Sequence, residues 1–364
     1  MKIRAAVTPS AGAKFIMEDI ELAEPKTGEI LVKVEASGIC HTDVEGINGH
    51  LPTAVPAVFG HEGAGTVVKV GAGVKEFEEG DKVGFSFAYC NCCRNCFAGK
   101  FSSCVNFNKI NFGGILPEGT SRLSKNGKNL SMFFGQSSFA EYAVVAAHTA
   151  IKVPYKDVDP AIIAPLGCGI QTGAGTVLNA LKPGFGSSIA IFGCGTVGMS
   201  AIMAARIAGC EKIIAVGGKD HTLELAKELG ATHTINRKTC PDIVAEIKEI
   251  TNGGANYSID TSGNVNFVRT GLNCLAPLGV EAIVGITPKM EIDMFGELMA
   301  EGKTIMGVIE GNSVPKLFIP QMVEYYRQGR FPVDRIMTFY DFDNIEQAYE
   351  DSTSGKCIKA VVRM

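Results

Sequence analysis

At 364 residues the chain exceeds one ordinary hydrophobic core, so two domains are expected. Hydrophobic residues at 46% against 20% charged describe a globular protein rather than a disordered one. A formal net charge of −4, with no basic block and no Trp, points away from nucleic acid and acidic membranes as partners.

In chain order, the opening MKIRAAVTPSAGAKF lacks the apolar core of a secretion signal. Short apolar or alternating runs broken by Gly and Pro follow: ILVKVEASGI, GAGTVVKVGAGV, DKVGFSF and AEYAVV. That texture predicts an irregular β-rich domain. From Pro165 onward the pattern changes. SSIAIFGCGTVGMSAIMAARIAG, KIIAVGG, HTLELAKELGATHTIN, YSIDTSG and VEAIVGI alternate apolar strands with helical segments, the rhythm of a doubly wound parallel sheet. The charge-free stretch Gly184 to Ala205 has the length of a membrane span. Gly193, Gly195 and Gly198 interrupt it, and a strand, a tight turn and a buried helix account for it better. After Gly307 a helix near Val314 to Gln328 and a tail ending CIKAVVRM offer no further βαβ unit. The expected class is α/β, with a β-rich domain at 1–169 and 308–364 interrupted by a Rossmann dinucleotide domain at 170–307.

Five of the twelve cysteines fall between Cys90 and Cys104. Without a secretion signal, the expectation is a reducing cytoplasm, where clustered thiols bind metal rather than form disulfides. Cys90, Cys93, Cys96 and Cys104 make C-x2-C-x2-C-x7-C. Four thiolates from one short lobe close a tetrahedral zinc, the structural type of site. Cys92 breaks that spacing and is a bystander. A second set is dispersed: Cys40 begins C-H-T-D, His61 lies in G-H-E-G-A-G, and Cys168 lies in P-L-G-C-G. Two Cys and one His leave a fourth zinc position open, as catalysis requires. Taken singly, Cys168 reads as a small buried hydrophobe and His61 as a hydrogen-bonded structural histidine; their conjunction with Cys40 carries the metal reading.

Ile189 to Gly198 reads I-A-I-F-G-C-G-T-V-G, an apolar strand running directly into G-x-G-x-x-G and a helix. Gly193 permits the tight turn, Gly195 lets backbone approach a pyrophosphate, and Gly198 lets helix pack on strand. An acidic residue at the end of the next strand would bind the adenosine ribose diol. Here Gly217, Gly218 and Lys219 stand at that end. No carboxylate repels a 2′-phosphate, and Lys219 or His221 attracts one, so NADP is favoured, with NAD as the alternative. An exposed Lys after a strand is otherwise an ordinary solvated side chain.

From Gly60 through His61, Glu62, Gly65 and Gly71 to Val74 the sequence matches G-H-E-x2-G-x5-G-x2-V completely. In this, and in the order of its cysteine lobe and glycine turn, the chain resembles the zinc-containing medium-chain alcohol dehydrogenases. The resemblance spans essentially the whole chain, including the insert-like GILPEGTSRLSKNGKNLSMFFGQSSFAEY. SFAYC, PLGCGIQTGAGTVLN and PKLFIPQMVEYYRQGRFPVD are similar to the aryl- or benzyl-alcohol branch.

The resemblance implies a GroES-like catalytic domain and two zinc ions per chain. Cys40, His61 and Cys168 would hold the catalytic zinc, with Glu62 nearby or an alternate ligand; the four-cysteine lobe would hold the structural one. Thr42 would take the alcohol proton, and Asp43 would orient His61. His41 and Lys359 match basic positions near the pyrophosphate, Thr172 lies beside the nicotinamide, and Phe87, across a one-residue gap, matches an aromatic substrate-pocket position. Many relatives place a histidine three residues after Thr42; here that residue is Glu45, with His50 nearby but out of register. The expected activity is hydride transfer between NAD(P) and a primary, aromatic or allylic, alcohol, by a homodimer that joins its nucleotide sheets. Rival readings are a polyol or secondary-alcohol dehydrogenase, for which a carboxylate commonly replaces Cys168, glutathione-dependent formaldehyde oxidation, and a nucleotide-binding zinc redox sensor. A quinone reductase of the same fold would need neither zinc set.

Overall fold

The structure, a computed structural model, describes residues 1–116 and 118–364. Two compact units emerge: Met1–Gly169 with Val314–Glu324 and Val333–Met364, and Ile170–Ser313 with Tyr325–Pro332.

The first unit is built on a five-stranded and a seven-stranded sheet. Its hub is the strand Glu29–Gly38, buried along nearly its whole length. The apolar run ILVKV suits this position because antiparallel neighbours, Glu62–Val70 and Tyr142–Ala146, flank it. The C-terminal tail returns here as the strand Lys359–Arg363, pairing Val361 with Gly38. Gly38 also pairs with Glu62. A β-carbon on Gly38 would lie 2.0 Å from Glu62 Oε2 and 3.2 Å from Lys359 Cε, so only glycine lets those two side chains meet. The helix His41–Ile47 follows directly, placing Cys40 and Thr42 beside them.

The second unit carries six parallel strands in the order His233–Asn236, Lys212–Gly217, Ser188–Phe192, Ala255–Asp260, Leu275–Ile283, Thr304–Gly307. SIAIF is buried at every position, as a strand covered on both faces must be. The charge-free stretch thus becomes this strand, a glycine turn and the buried helix Thr196–Ala208. Among the described residues no single helix is long and apolar enough to cross a membrane.

The α/β class agrees with the expectation, but the unit limits do not coincide with 308–364. Residues 308–313 and Tyr325–Pro332 belong to the second unit. The cause is local. Gln171 Nε2 donates to Glu310 at 3.2 Å, Asn179 Nδ2 donates to the Gly311 carbonyl at 3.2 Å, and Gly311 backs onto Gly175 with no room for a β-carbon.

Candidate functional site

Cys40 caps the helix His41–Ile47, and Asp43, in its first turn, ties that helix to the GHE segment. Asp43 Oδ2 accepts from the Cys40 N–H at 3.0 Å; Oδ1 accepts from the Gly60 N–H at 3.1 Å and from His61 Nδ1 at 2.8 Å. An anion at a helix start is favoured by the free N–H groups there. With Nδ1 committed to a carboxylate, His61 keeps its lone pair on Nε2. That atom is buried and has no hydrogen-bond partner among the described residues. Such an orphan requires an explanation, and its neighbours supply one. One donor atom from each of Cys40, His61, Glu62 and Cys168 falls in a group within 4.8 Å of one another, and the two sulfurs are 3.9 Å apart. Zinc–sulfur bonds of about 2.3 Å in a tetrahedron separate sulfurs by roughly 3.8 Å. The donor set fits zinc. The Cys168 thiol, helped by His61 and Lys359, holds the Cys40 thiol well below its ordinary range although burial opposes this.

Thr42 Oγ1 lies 3.8 Å from the Cys40 thiol. Glu45, one turn on, reaches two exposed imidazoles: His50 Nδ1 at 2.9 Å and His41 Nε2 at 3.4 Å. Lys359 is 2% exposed, lies 2.5 Å from Glu62 Oε2 and donates to the Ile39 carbonyl at 3.0 Å. Burial works against its charge, yet Glu62 and Cys40 more than offset that and raise its pKa. Its ammonium is committed beside the Cys40–His61 group, which leaves the expected pyrophosphate role resting on resemblance alone.

Aromatic rings that the sequence did not single out cover the histidine. Phe134 stacks on His61 at 4.4 Å, Phe133 meets it edge-on at 5.6 Å, and Phe112 packs on Phe134 at 5.3 Å. The doublet in MFFGQSS was the available signal. Phe87 is buried, and its ring neighbours are Tyr89 and Phe107 rather than His61.

In the lobe, the Cys90–Cys104 and Cys93–Cys96 sulfurs are 3.5 Å apart and Cys90–Cys96 3.9 Å, with all four donors mutually within 4.8 Å. All twelve cysteines are free thiols, and Cys92 points out to solvent. Burial resists ionisation at Cys90, but the Cys92 N–H and the Cys104 thiol hold it down to about 6, while burial pushes Cys96 up to about 12. Thiols this crowded do not all ionise unaided, and a divalent cation among them removes the conflict.

The second unit presents the glycine turn. Gly193 has φ +108°, and a β-carbon on Gly198 would sit 1.8 Å from the Gly193 carbonyl oxygen. A β-carbon on Gly195 would meet nothing within 4 Å, leaving the open approach a pyrophosphate needs. Thr172 donates to Glu310 at 3.4 Å. Gly217 ends its strand with Cys194 Sγ 2.9 Å from where a β-carbon would be. Lys219 precedes the helix Asp220–Leu229, and His221 lies exposed in its first turn.

Residues 26–155 match the alcohol dehydrogenase GroES-like domain family, and residues 196–325 match the zinc-binding dehydrogenase family. The geraniol dehydrogenase of Castellaniella defragrans is 39% identical over 363 residues, covering 99% of this chain and 97% of its own. The S-(hydroxymethyl)glutathione dehydrogenase of Komagataella pastoris is 36% identical, covering 100% and 98%. Among solved structures, the benzyl alcohol dehydrogenase of Acinetobacter calcoaceticus superposes with a TM-score of 0.96 at 44% identity, covering 100% of this chain and 99% of its own. Architecture, sequence and the two donor sets agree: the chain belongs to the zinc-containing medium-chain alcohol dehydrogenases and is an oxidoreductase that uses zinc and a nicotinamide cofactor.

Proposed function

We propose that this chain oxidises primary aromatic or allylic alcohols, and reduces the matching aldehydes, using NADP and two zinc ions. Phe133 and Phe134 back His61 from within the core, and the observation that carries the substrate class is the likeness to two relatives over essentially the whole chain. The printed activities of two relatives, on geraniol and on benzyl alcohol, support the same class.

A zinc ion on Cys40, His61 and Cys168 supplies the Lewis acidity that makes an alcohol hydroxyl acidic near neutral pH. Thr42 then accepts the alcohol proton while releasing its own, and Glu45 with His50 or His41 carries it to solvent. Asp43 fixes the His61 tautomer. Lys359 holds Glu62 beside the ligands. His41 and Lys359 near the pyrophosphate, Thr172 at the nicotinamide and Phe87 in the substrate pocket complete the reading by resemblance.

The decisive experiment is turnover of benzyl alcohol, geraniol, a secondary alcohol and S-(hydroxymethyl)glutathione with each cofactor, on protein of known zinc content. The aromatic and allylic alcohols are expected to give the highest kcat/KM. Preference for S-(hydroxymethyl)glutathione would overturn the substrate class, and the 36% identical relative makes it the arm to watch. Zinc-independent nucleotide binding without any turnover would favour a redox sensor instead.

Metal analysis should count two zinc ions per chain. Cys93→Ser should lose the lobe zinc and melt at lower temperature, while Cys40→Ser should lose the other and keep the lobe. A single zinc in the parent would refute the two-site reading.

The cofactor preference rests on Gly217, Gly218 and Lys219. A glycine at 217 deprives NAD of a hydrogen-bond acceptor and NADP of a like-charge barrier. One charge-assisted bond to a 2′-phosphate is worth about 1.5–3 kcal/mol, so NADP should be favoured by roughly tenfold or more. Gly217→Asp should move the kcat/KM ratio toward NAD. Because its β-carbon would press on Cys194, the same change is best also made with Cys194→Ala. A parent that strongly prefers NAD contradicts this assignment.

The clustering of thiols into two metal-type donor sets suits a reducing compartment such as the cytoplasm. The second unit also exposes Ile286, Met294, Phe295 and Met299, and its sheet ends at the edge strand Thr304–Gly307. A homodimer that joins these sheets would cover such apolar surface.

A further inference from the structure

The space over Gly217 and Gly218 is filled from a different strand. Arg237 follows His233–Asn236, and its N–H donates to the Gly217 carbonyl at 2.8 Å. This register brings its side chain back over the glycine bend. A β-carbon on Gly218 would lie 2.8 Å from Arg237 Nε and 3.2 Å from Cζ, so any other residue at 218 would displace the guanidinium. The guanidinium lies 5.6 Å from the centre of the Phe267 ring, which is itself stacked on Phe192 at 6.1 Å. A cation resting on an aromatic face leaves its edge N–H groups available. Among the described residues no carboxylate pairs with Arg237. Asp220, two residues after Gly218 at the start of the helix Asp220–Leu229, instead accepts from Asn236 at 2.6 Å. An exposed arginine is thus held in one place, with free donors, where a doubly wound domain receives the adenosine ribose.

We infer that Arg237 forms the binding subsite for the 2′-phosphate of NADP, gripping the phosphomonoester through its guanidinium fork while resting on Phe267. The inference rests on the NADP preference proposed above and names the residue that produces it. Lys219 adds charge at the rim of this subsite. Three features cooperate: no carboxylate at 217, no side chain at 218, and an arginine in the space both leave. The competing role for such a side chain is stacking on the adenine ring, which would serve NAD and NADP alike.

Binding fragments separate these roles without reference to turnover. The full-length, zinc-loaded protein is titrated calorimetrically with 2′,5′-ADP and with 5′-AMP. The parent should bind 2′,5′-ADP at least ~10-fold more tightly. Arg237→Ala should weaken 2′,5′-ADP by roughly 10–100-fold and leave 5′-AMP nearly unchanged, as expected for loss of one or two charge-assisted bonds. Arg237→Lys should retain part of the selectivity, because it keeps the charge and loses the fork. Equal weakening of both ligands would make Arg237 an adenine platform and overturn the phosphate assignment. Unchanged selectivity in Arg237→Ala, within a parent that prefers 2′,5′-ADP, would overturn the role of Arg237 and leave the NADP preference standing. A parent that prefers 5′-AMP would overturn the NADP preference and this subsite together.

Discussion

Alanine at position 42 is expected to slow alcohol oxidation by ~10²–10⁴-fold, the usual contribution of a positioned proton transfer. The Thr42 hydroxyl stands 3.8 Å from the Cys40 thiol at the start of a helix whose first turn is pinned by Asp43. Removing one oxygen and one methyl there disturbs none of the groups that hold His61, so zinc content and cofactor affinity should stay at parental values. Helical spacing puts Glu45 on the same face as Thr42, and Glu45 contacts the exposed His50 at 2.9 Å. On the proposed mechanism, hydroxyl, carboxylate and imidazole would pass the proton in that order from the half-buried Thr42 to the exposed His50. On that mechanism His50, five residues further on, would stand in for the histidine that many relatives place at position 45. Thr42→Ser should recover most of the rate, since it restores the hydroxyl. Glu45→Gln should cost less than Thr42→Ala, with a displaced pH profile and partial rescue by small buffer bases. The hydride step is best read in a single turnover. Unchanged turnover in Thr42→Ala, or an equal loss in Thr42→Ser, would remove Thr42 from the proton path.

What could be read in the sequence depended on how locally each group is specified. The lobe cysteines announce themselves because one short segment supplies all four donors. The glycine turn does so because only glycine tolerates the positive φ at 193 and the contact at 198. Strand and helix alternation gave the parallel sheet for the same reason: apolar periodicity is local. Pairings across the fold left no such trace. Lys359 reaches Glu62 only because the C-terminal strand aligns on Gly38, and nothing near CIKAVVRM indicates that register. Phe134 stacks on His61 from within a segment that reads as a loop. Arg237 lies over Gly218 from the end of the neighbouring strand, whereas Lys219 and His221 are the charged residues beside the bend in sequence. The attachment of residues 308–313 to the second unit is equally non-local. Glu310 and Gly311 are tied to Gln171 and Gly175 by contacts that only the folded chain reveals.

Glu281 should make the protein lose stability as pH rises through neutrality, and Glu281→Gln should abolish that loss. The residue lies on Leu275–Ile283 with its side chain fully buried, and neither carboxyl oxygen has a hydrogen-bond partner among the described residues. The helix Val265–Asn273 makes room for it with Gly271, where a β-carbon would fall 2.3 Å from Oε1. Burial, with Asp260 adding to it and Arg269 opposing, pushes the Glu281 carboxyl from 4.5 to about 8. Below the unfolded value both states hold the proton, and the group's contribution to stability is fully present. Between there and about 8 the unfolded chain ionises while the folded one keeps its proton, so stability falls by ~1.4 kcal/mol per pH unit. At pH 7 the accumulated loss is on the order of 3 kcal/mol, or a ~10²-fold shift in the folding equilibrium. Glutamine has the same shape and no proton to exchange. Urea unfolding of parent and variant, compared near pH 5 and pH 7.5, should show the variant gaining about 3 kcal/mol on the parent over that interval. Taking the difference cancels the titration of zinc-site thiols, which both proteins share. A difference that stays constant with pH would mean that Glu281 is charged in the folded protein, its burial offset by a partner such as ordered water.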